Sequence, residues 1–169
     1  MITAVDTNVL LDLLTPGAPH ASESEAALAD ALIDGWEALG IRCLAVNFAA
    51  GPRSALDGAA ELSKRLAGRG IHVAQMAGVN ANFVHQAESV RREGVARVLE
   101  AIPTAKALNA SMLSSGCGTN RDDWTTHFYG PHSLNYSPQA KIQLIEGLRE
   151  IAPHIEAAGL KYTIECHQL

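Results

Sequence analysis

The chain has 169 residues, enough for one ordinary domain with a hydrophobic core. Hydrophobic residues make up 47% of it and charged residues 18%, a balance that argues against intrinsic disorder. The formal net charge of -5 provides no basic field for a phosphate backbone, which disfavours nucleic-acid binding.

Cysteine usage and hydropathy indicate the compartment. Cys43, Cys117 and Cys166 lie far apart and form no CxxC pair, which is typical of reduced thiols. No segment approaches the roughly 18 apolar residues needed to span a bilayer. The amino-terminal apolar run contains Asp6 and Asp12 and has no basic segment ahead of it, unlike a signal peptide. We therefore expect a soluble, cytoplasmic protein without a membrane partner.

Five apolar segments alternate with helical patterns along the chain. Strands are predicted at residues 2–5, 41–48, 71–79, 111–115 and 161–166. Helices are predicted at residues 22–39, 54–67, 81–107 and 137–158, with Pro103 as a candidate break.

The helix ends carry recognisable signals. Ser22 and Glu25 form a capping box, Gly40 and Gly159 follow predicted helices, and Ser137-Pro138 opens the last one. The apolar residues of the first helix recur at spacings of three and four, which predicts a buried face made of Leu28, Ala31, Leu32, Trp36 and Leu39.

This alternation predicts an α/β fold. A helix between each pair of strands implies parallel strands joined by right-handed crossovers. Apolar runs such as residues 44–46 fit strands that are covered on both faces. Two architectures remain: a partial (β/α) barrel of about five parallel strands, or an open doubly wound sheet. Eight βα units take about 250 residues, so this chain would form an incomplete barrel.

The opening stretch carries one family resemblance. A short strand ends in Val5-Asp6-Thr7-Asn8 and continues into the apolar run at residues 9–14. Residues 1–31 thereby resemble the start of PIN-domain ribonucleases of the toxin–antitoxin kind. The resemblance implies that Asp6 is a ligand of Mg²⁺ or Mn²⁺, since hard cations favour clustered carboxylate oxygens. The PIN pattern does not continue beyond about residue 32, so we expect no ribonuclease activity above background.

The remaining part of the chain, 32–169, carries a second resemblance, which begins at about residue 35 and rests on three segments. These are EALGIRC at 37–43, LAGRGIHVAQMAG at 66–78 and YGPHSLNYSPQAKIQLIEGLREIAPHIEAAGLKYTIECH at 129–167. This part resembles the first half of the xylose-isomerase-like TIM barrels, a family of sugar isomerases and epimerases that includes class II AP endonucleases. We expect the two parts to form one structural unit, because a PIN-like strand and helix replace the barrel's own first pair.

The second resemblance implies a metal site. In the family, the glutamate that ends the fifth strand binds a divalent metal, Mn²⁺ or Mg²⁺, and it corresponds to Glu165. The family's other ligands, an aspartate, a histidine and a second glutamate, come from later strands, and the sequence stops four residues after Glu165. We therefore expect weak or absent metal binding, and little or no activity on the sugar or sugar phosphate that complete relatives isomerise.

Several histidines and glycines are further candidates for ligand contact. His127 and His132 follow the fourth predicted strand on the catalytic side of a barrel, where they would contact a sugar or phosphate, with solvation as the alternative. His167 shares a strand face with Glu165, so the two could form a Glu-x-His pair that binds Zn²⁺ or Mn²⁺. His167 is also a candidate for substrate contact, and a solvated histidine is the alternative. The Gly116-x-Gly118 segment fits either a phosphate-binding loop or a tight turn.

Three hypotheses follow for the function. The first is a sugar isomerase or epimerase-like barrel fragment with an incomplete metal site. The second is a Mg²⁺-dependent ribonuclease that uses Asp6. The third is a non-enzymatic fragment that assembles with itself or with a partner to cover its open edge, and we expect a homo-oligomer on this ground.

Overall fold

The fold alternates helices and strands as predicted. The computed structural model describes residues 23–48, 54–123 and 131–165. Its helices are α1 (Glu23–Ala38), α2 (Ser54–Gly68), α3 (Glu88–Ala107) and α4 (Pro138–Ala157), with a 3₁₀ helix at Ser133–Tyr136. Its strands are β1 (Cys43–Asn47), β2 (His72–Ala77), β3 (Met112–Gly116) and β4 (Lys161–Glu165). The predicted strand at residues 2–5 lies outside the described residues.

The four strands form one parallel sheet in the order β1-β2-β3-β4. In the first pair, Cys43 lies opposite His72 and Asn47 lies opposite Ala77. A doubly wound sheet reverses its strand order at a switch point, whereas the order here follows the sequence without reversal. The predicted partial (β/α) barrel is therefore confirmed over its open-sheet alternative.

The described residues fall into two compact units. The first extends to Ala77 and also includes Pro103–Met112. Its core is apolar and almost inaccessible to solvent, and it is made of Ile33, Trp36, Leu44, Val46, Leu62, Leu66, Ile71, Val73, Met76 and Leu108. At its surface, Arg65 Nε donates to Asp30 Oδ1 at 3.1 Å, and this hydrogen bond holds the pKa of Asp30 below its usual value.

The buried face of α1 differs in part from the predicted one. Trp36 is buried as expected, but Leu39 is 78% exposed, Leu32 is 36% exposed and Ala31 is also exposed, while Ile33 is completely buried. The side chain of Leu28 lies outside the described part of the chain. The sets 32-36-39 and 33-36 both have helical spacing and share Trp36, so periodicity alone does not choose between them. Packing selects the set that contains Ile33.

The second unit comprises Gly78–Ile102 and the described residues from Leu113 onward. Its buried core includes Phe83, Val98, Leu113, Ile151 and Ile155. The predicted start of α4 is confirmed: Ser137 Oγ accepts from the Ala140 N–H at 3.1 Å, and Pro138 takes the first helical position. Gly159 ends this helix with φ +71°.

The predicted start of α3 at residue 81 is wrong, because this helix begins at Glu88. Asn82 explains the difference: its Oδ1 accepts from the N–H groups of Val84 at 3.3 Å and His85 at 3.2 Å. An asparagine that bonds nearby backbone in this way competes with helix formation. Pro103 lies inside α3 and does not end it.

The loop before α3 packs tightly against the loop that follows β3. Asn82 Nδ2 donates to the Thr119 carbonyl at 2.8 Å, and the Phe83 N–H donates to the Cys117 carbonyl at 3.1 Å. A Cβ at Gly118 would lie 2.6 Å from Asn82 Cα, and Gly118 has φ +92°. Both the backbone conformation and the close approach therefore require glycine at this position.

No helix in the described part of the chain is long and apolar enough to cross a membrane.

Two glycine substitutions distinguish how much positive φ and how much the close approach of Asn82 each affect the free energy of unfolding. We expect Gly118→Ala to lower the free energy of unfolding by about 3 kcal/mol or more, since it combines left-handed strain with a backbone clash. Gly159→Ala is the matched control, because Gly159 also has positive φ but a Cβ there meets nothing within 4 Å. We expect a loss of about 1 kcal/mol for this control. Equal losses in urea unfolding would contradict the close approach of Asn82.

Candidate functional site

Glu165 is the last residue of β4, and its carboxylate is bound by the neighbouring strand. Ser114 Oγ on β3 donates to Glu165 Oε1 at 2.7 Å. The Ser114 side chain is completely buried, whereas Glu165 is partly exposed. β/α barrels build their sites at the carboxyl ends of their strands. Glu165 therefore has the position and the partial exposure that a ligand-binding carboxylate needs.

The other face of β3 carries a second hydroxyl contact. Ser115 Oγ donates to the Gly116 carbonyl at 2.8 Å and lies 2.5 Å from the Tyr162 hydroxyl. Since Ser115 has used its only proton, the Tyr162 hydroxyl is the donor in the second bond. Successive residues of a strand face opposite sides, so this contact and the Ser114–Glu165 contact lie on opposite faces of β3. Burial raises the pKa of Tyr162 to about 12.

Side-chain amides hold the polar loop after β3. Asn135 Oδ1 accepts from the Asn120 N–H at 2.8 Å, and Asn135 Nδ2 donates to Thr119 Oγ1 at 3.2 Å. Thr119 and Asn120 are buried, at 1% and 8% exposure. Asn120 Oδ1 is a buried acceptor for which the described residues provide no donor.

His132 caps the 3₁₀ helix next to this loop. Its Nδ1 accepts from the Leu134 N–H at 3.3 Å, so in the neutral ring the proton lies on Nε2. A metal-bound histidine normally donates its second ring N–H to an acceptor, and this cap prevents that arrangement. His132 therefore suits hydrogen-bond donation to a ligand oxygen, the role predicted for it, better than metal binding.

Other predicted candidates are placed less favourably or are not described. Asp6, His127 and His167 lie outside the described residues, so their roles remain predictions. The Gly116-x-Gly118 segment forms the close turn against Asn82, and the need for glycine at 118 is explained without a phosphate.

The metal-binding capacity of the described residues is limited. They contain no group of three or more His, Cys, Asp or Glu side chains that could hold a metal ion. The carboxylate oxygens of Glu165 suit a hard divalent cation, yet one carboxylate is a small part of the six or so oxygen ligands that such ions take. Glu165 thus fits one position of a metal site, and the other ligands would come from outside the described residues.

Sequence reasoning missed most of the supporting residues. Ser114, Tyr162, Asn82 and Asn135 were not singled out, because each acts through a contact distant in sequence. A local signal was present for Asn82, since Gly78 and Asn80 precede it and such clusters after a strand are typical of loops. No local pattern identifies Ser114, whose partner lies 51 residues away.

The sequence matches the xylose isomerase-like TIM barrel family over residues 15–168. The chain belongs to this family. The prediction drawn from the segments at 37–43, 66–78 and 129–167 is thereby confirmed. The PIN-like character of residues 1–31 remains a prediction.

Solved structures of sugar epimerases share this fold. An L-ribulose 3-epimerase aligns with a TM-score of 0.65 and 13% identity, covering 97% of this chain and 49% of that one. A D-psicose 3-epimerase from Clostridium cellulolyticum H10, solved with D-tagatose, gives 0.60 and 14% identity, covering 80% and 45%. Another D-psicose 3-epimerase, solved in the presence of D-fructose, gives 0.57 and 16% identity, covering 80% and 45%.

The chain spans about half the length of these structures. Identities this low establish the common fold and nothing further. No curated protein matches the sequence.

The buried Tyr162 hydroxyl gives the fold an alkaline sensitivity. Its pKa is raised in the folded state from 10.0 to about 12, so the folded state holds the proton more tightly than the unfolded state. The contribution of protonated Tyr162 to the free energy of unfolding is fully present below pH 10. It is lost as the pH rises through about 12, by roughly 3 kcal/mol in total. Urea unfolding at several pH values between 10 and about 12 should show the free energy of unfolding falling in the wild type. We expect Tyr162→Phe to remove the part of this fall that Tyr162 causes. Tyr136→Phe, at a tyrosine with 56% exposure, leaves Tyr162 in place and should retain it. A decline that persists in Tyr162→Phe would contradict this assignment.

Proposed function

We propose that this chain provides part of a divalent-metal-dependent site of the sugar isomerase and epimerase type, with Glu165 as one metal ligand. The proposed substrate is a small sugar or sugar phosphate, and the proposed cation is Mn²⁺ or Mg²⁺. One observation carries this proposal: within a xylose isomerase-like barrel, a carboxylate at the end of β4 is held by a buried hydroxyl on the adjacent strand. The sugar epimerases among the solved neighbours support the substrate class.

The proposed chemistry divides between the cation and the protein groups. A bound divalent cation polarises carbonyl and hydroxyl oxygens, which eases removal of a proton from the adjacent carbon. Glu165 would contribute a negatively charged oxygen to this cation. His132 Nε2–H would donate a hydrogen bond to a sugar oxygen from the loop after β3. These groups bind and orient, and none of them is assigned as the base.

The chain on its own should bind the cation weakly and show little or no isomerase activity. The described residues contain no group of three or more His, Cys, Asp or Glu side chains that could hold a metal ion. A single carboxylate in partial contact with water recovers little of the hydration energy that a divalent cation gives up. We also propose a cytoplasmic location, on the basis of the three widely separated cysteines.

Replacing Glu165 tests the metal assignment. We expect Mn²⁺ to broaden NMR signals of residues near Glu165 with a Kd well above the low micromolar range. Glu165→Gln should reduce this binding at least tenfold, because the amide removes the charge but retains an oxygen for the Ser114 hydroxyl.

Glu156→Gln is the control for the Mn²⁺ titration, since it removes an equal charge from an exposed position on α4. This variant should bind Mn²⁺ like the wild type. Unchanged Mn²⁺ binding in Glu165→Gln would refute Glu165 as a ligand. A low micromolar Kd that depends on Glu165 would instead reveal a completed site and overturn the expectation of weak binding.

We further propose that the chain self-associates. Among the described strands, β4 pairs only with β3, and an open strand edge offers N–H and C=O groups to another chain. Ile142 and Ile145, three residues apart on α4, are 48% and 37% exposed, and the nearby Tyr136 is 56% exposed. A second copy would cover both features.

Light scattering after gel filtration tests the self-association. We expect the wild type to elute above the 17.9 kDa of one chain. The double substitution Ile142→Glu/Ile145→Glu should shift it towards the monomer, because charged side chains resist burial in an interface. Leu39→Glu, at an exposed leucine beyond the end of α1, serves as the control and should leave the association unchanged. A monodisperse wild-type monomer would contradict the proposal.

A further inference from the structure

We infer that Ser114 is a positioning residue for the Glu165 carboxylate and, through it, for the divalent cation. This inference rests on the function proposed above. Ser114 Oγ lies 2.7 Å from Glu165 Oε1, a normal distance for a hydroxyl that donates to a carboxylate. The donor is on β3 and the acceptor is on β4, so the bond joins two adjacent strands of the second unit.

Burial makes this hydroxyl an effective anchor. Ser114 is 0% exposed, so water does not compete for its hydroxyl, and the surrounding packing limits its rotation. A glutamate has three side-chain torsions, and each must be fixed before its carboxylate can hold a cation in a defined geometry. A hydrogen bond to Oε1 fixes the carboxylate in advance, so less ordering is required when the cation binds.

The chemical nature of the donor also matters for cation binding at Glu165. The donor is neutral, so it adds no positive charge that would repel the cation. A lysine or arginine in the same place would hold the carboxylate and also compete with the metal.

Ser115 provides a matched comparison within the same strand. It is also buried, at 3% exposure, and its hydroxyl also contacts a residue of β4. Its partner is Tyr162 on the opposite face, so it makes no contribution to the Glu165 carboxylate. Comparing substitutions of the two serines therefore distinguishes a loss of fold stability from a loss of Glu165 positioning.

Titration with Mn²⁺ alone, followed by paramagnetic broadening of NMR signals, tests the inference. We expect Ser114→Ala to weaken Mn²⁺ binding by about tenfold or more, the usual effect of removing a group that orients a metal ligand. Ser115→Ala should stay within about twofold of the wild type. Ser114→Cys, which has a similar volume and a weaker donor, should give an intermediate loss.

A double-mutant cycle distinguishes positioning from a general effect on the fold. If Ser114 acts through the carboxylate, Ser114→Ala should change Mn²⁺ binding by less than about twofold in the Glu165→Gln background. Thermal unfolding of each variant identifies any that are unfolded at the temperature of the titration. If Ser114→Ala is unfolded there, Ser114→Cys replaces it in the cycle.

The outcomes separate this inference from the proposed function. Wild-type Mn²⁺ affinity in both Ser114 variants would overturn the positioning role while leaving Glu165 as a ligand. An equal loss on Ser114→Ala in both backgrounds would also overturn it. If the wild type shows no Mn²⁺ binding that depends on Glu165, the proposed function fails first, and the role of Ser114 fails with it.

Discussion

The second unit depends on the packing of two adjacent residues, Asn82 and Phe83, against three glycines. A Cβ at Gly94 would lie 2.7 Å from the Asn82 nitrogen, and one at Gly147 would lie 2.5 Å from Phe83 Cδ1. Gly118 is equally restricted by Asn82. The loop after β2 thus contacts α3, α4 and the loop after β3 at van der Waals distance. Well-packed interiors of this kind resist even one added methyl group, because the neighbouring backbone cannot move aside without a loss of other contacts.

This packing determines where the polar groups of the candidate site lie. Asn82 binds the Thr119 carbonyl, and Thr119 and Asn120 in turn bind Asn135, so one chain of amide hydrogen bonds links three loops. All of these bonds involve side chains that are mostly buried, where an unpaired polar group is costly and a paired one is strongly directional. The side chains of a binding site are positioned more precisely when neighbouring residues hold them by hydrogen bonds of this kind. The described residues Asn82, Thr119, Asn120 and Asn135 are therefore held together by their own hydrogen bonds.

The sequence predicted the fold well because strand and helix signals are local. The apolar runs, Gly40, Gly159 and the Ser137-Pro138 start each depend on neighbouring residues. Within the described residues, the structure agrees with each of these signals. Errors arose where a specific side-chain contact, and not the apolar pattern, decides the outcome. Asn82 delays the start of α3 through its side chain, and Ile33 replaces Leu32 in the core through packing that periodicity does not specify. Within the site, Glu165 was accessible through a family resemblance, whereas Ser114 was not, because a single serine in a strand carries no recognisable pattern.

The two serines of β3 show why such a residue still carries information once the structure is known. A buried strand position usually holds a β-branched apolar residue, which packs well on the pleated surface. A buried hydroxyl contributes less apolar area and becomes unfavourable if it lacks a partner. Ser115 has its partner in Tyr162, a contact that stabilises the fold by joining β3 to β4. Ser114 has its partner in the Glu165 carboxylate at the end of β4, so its buried hydroxyl is also satisfied and also joins β3 to β4. Under the positioning role inferred above, the same bond orients Glu165, a carboxylate that remains partly exposed.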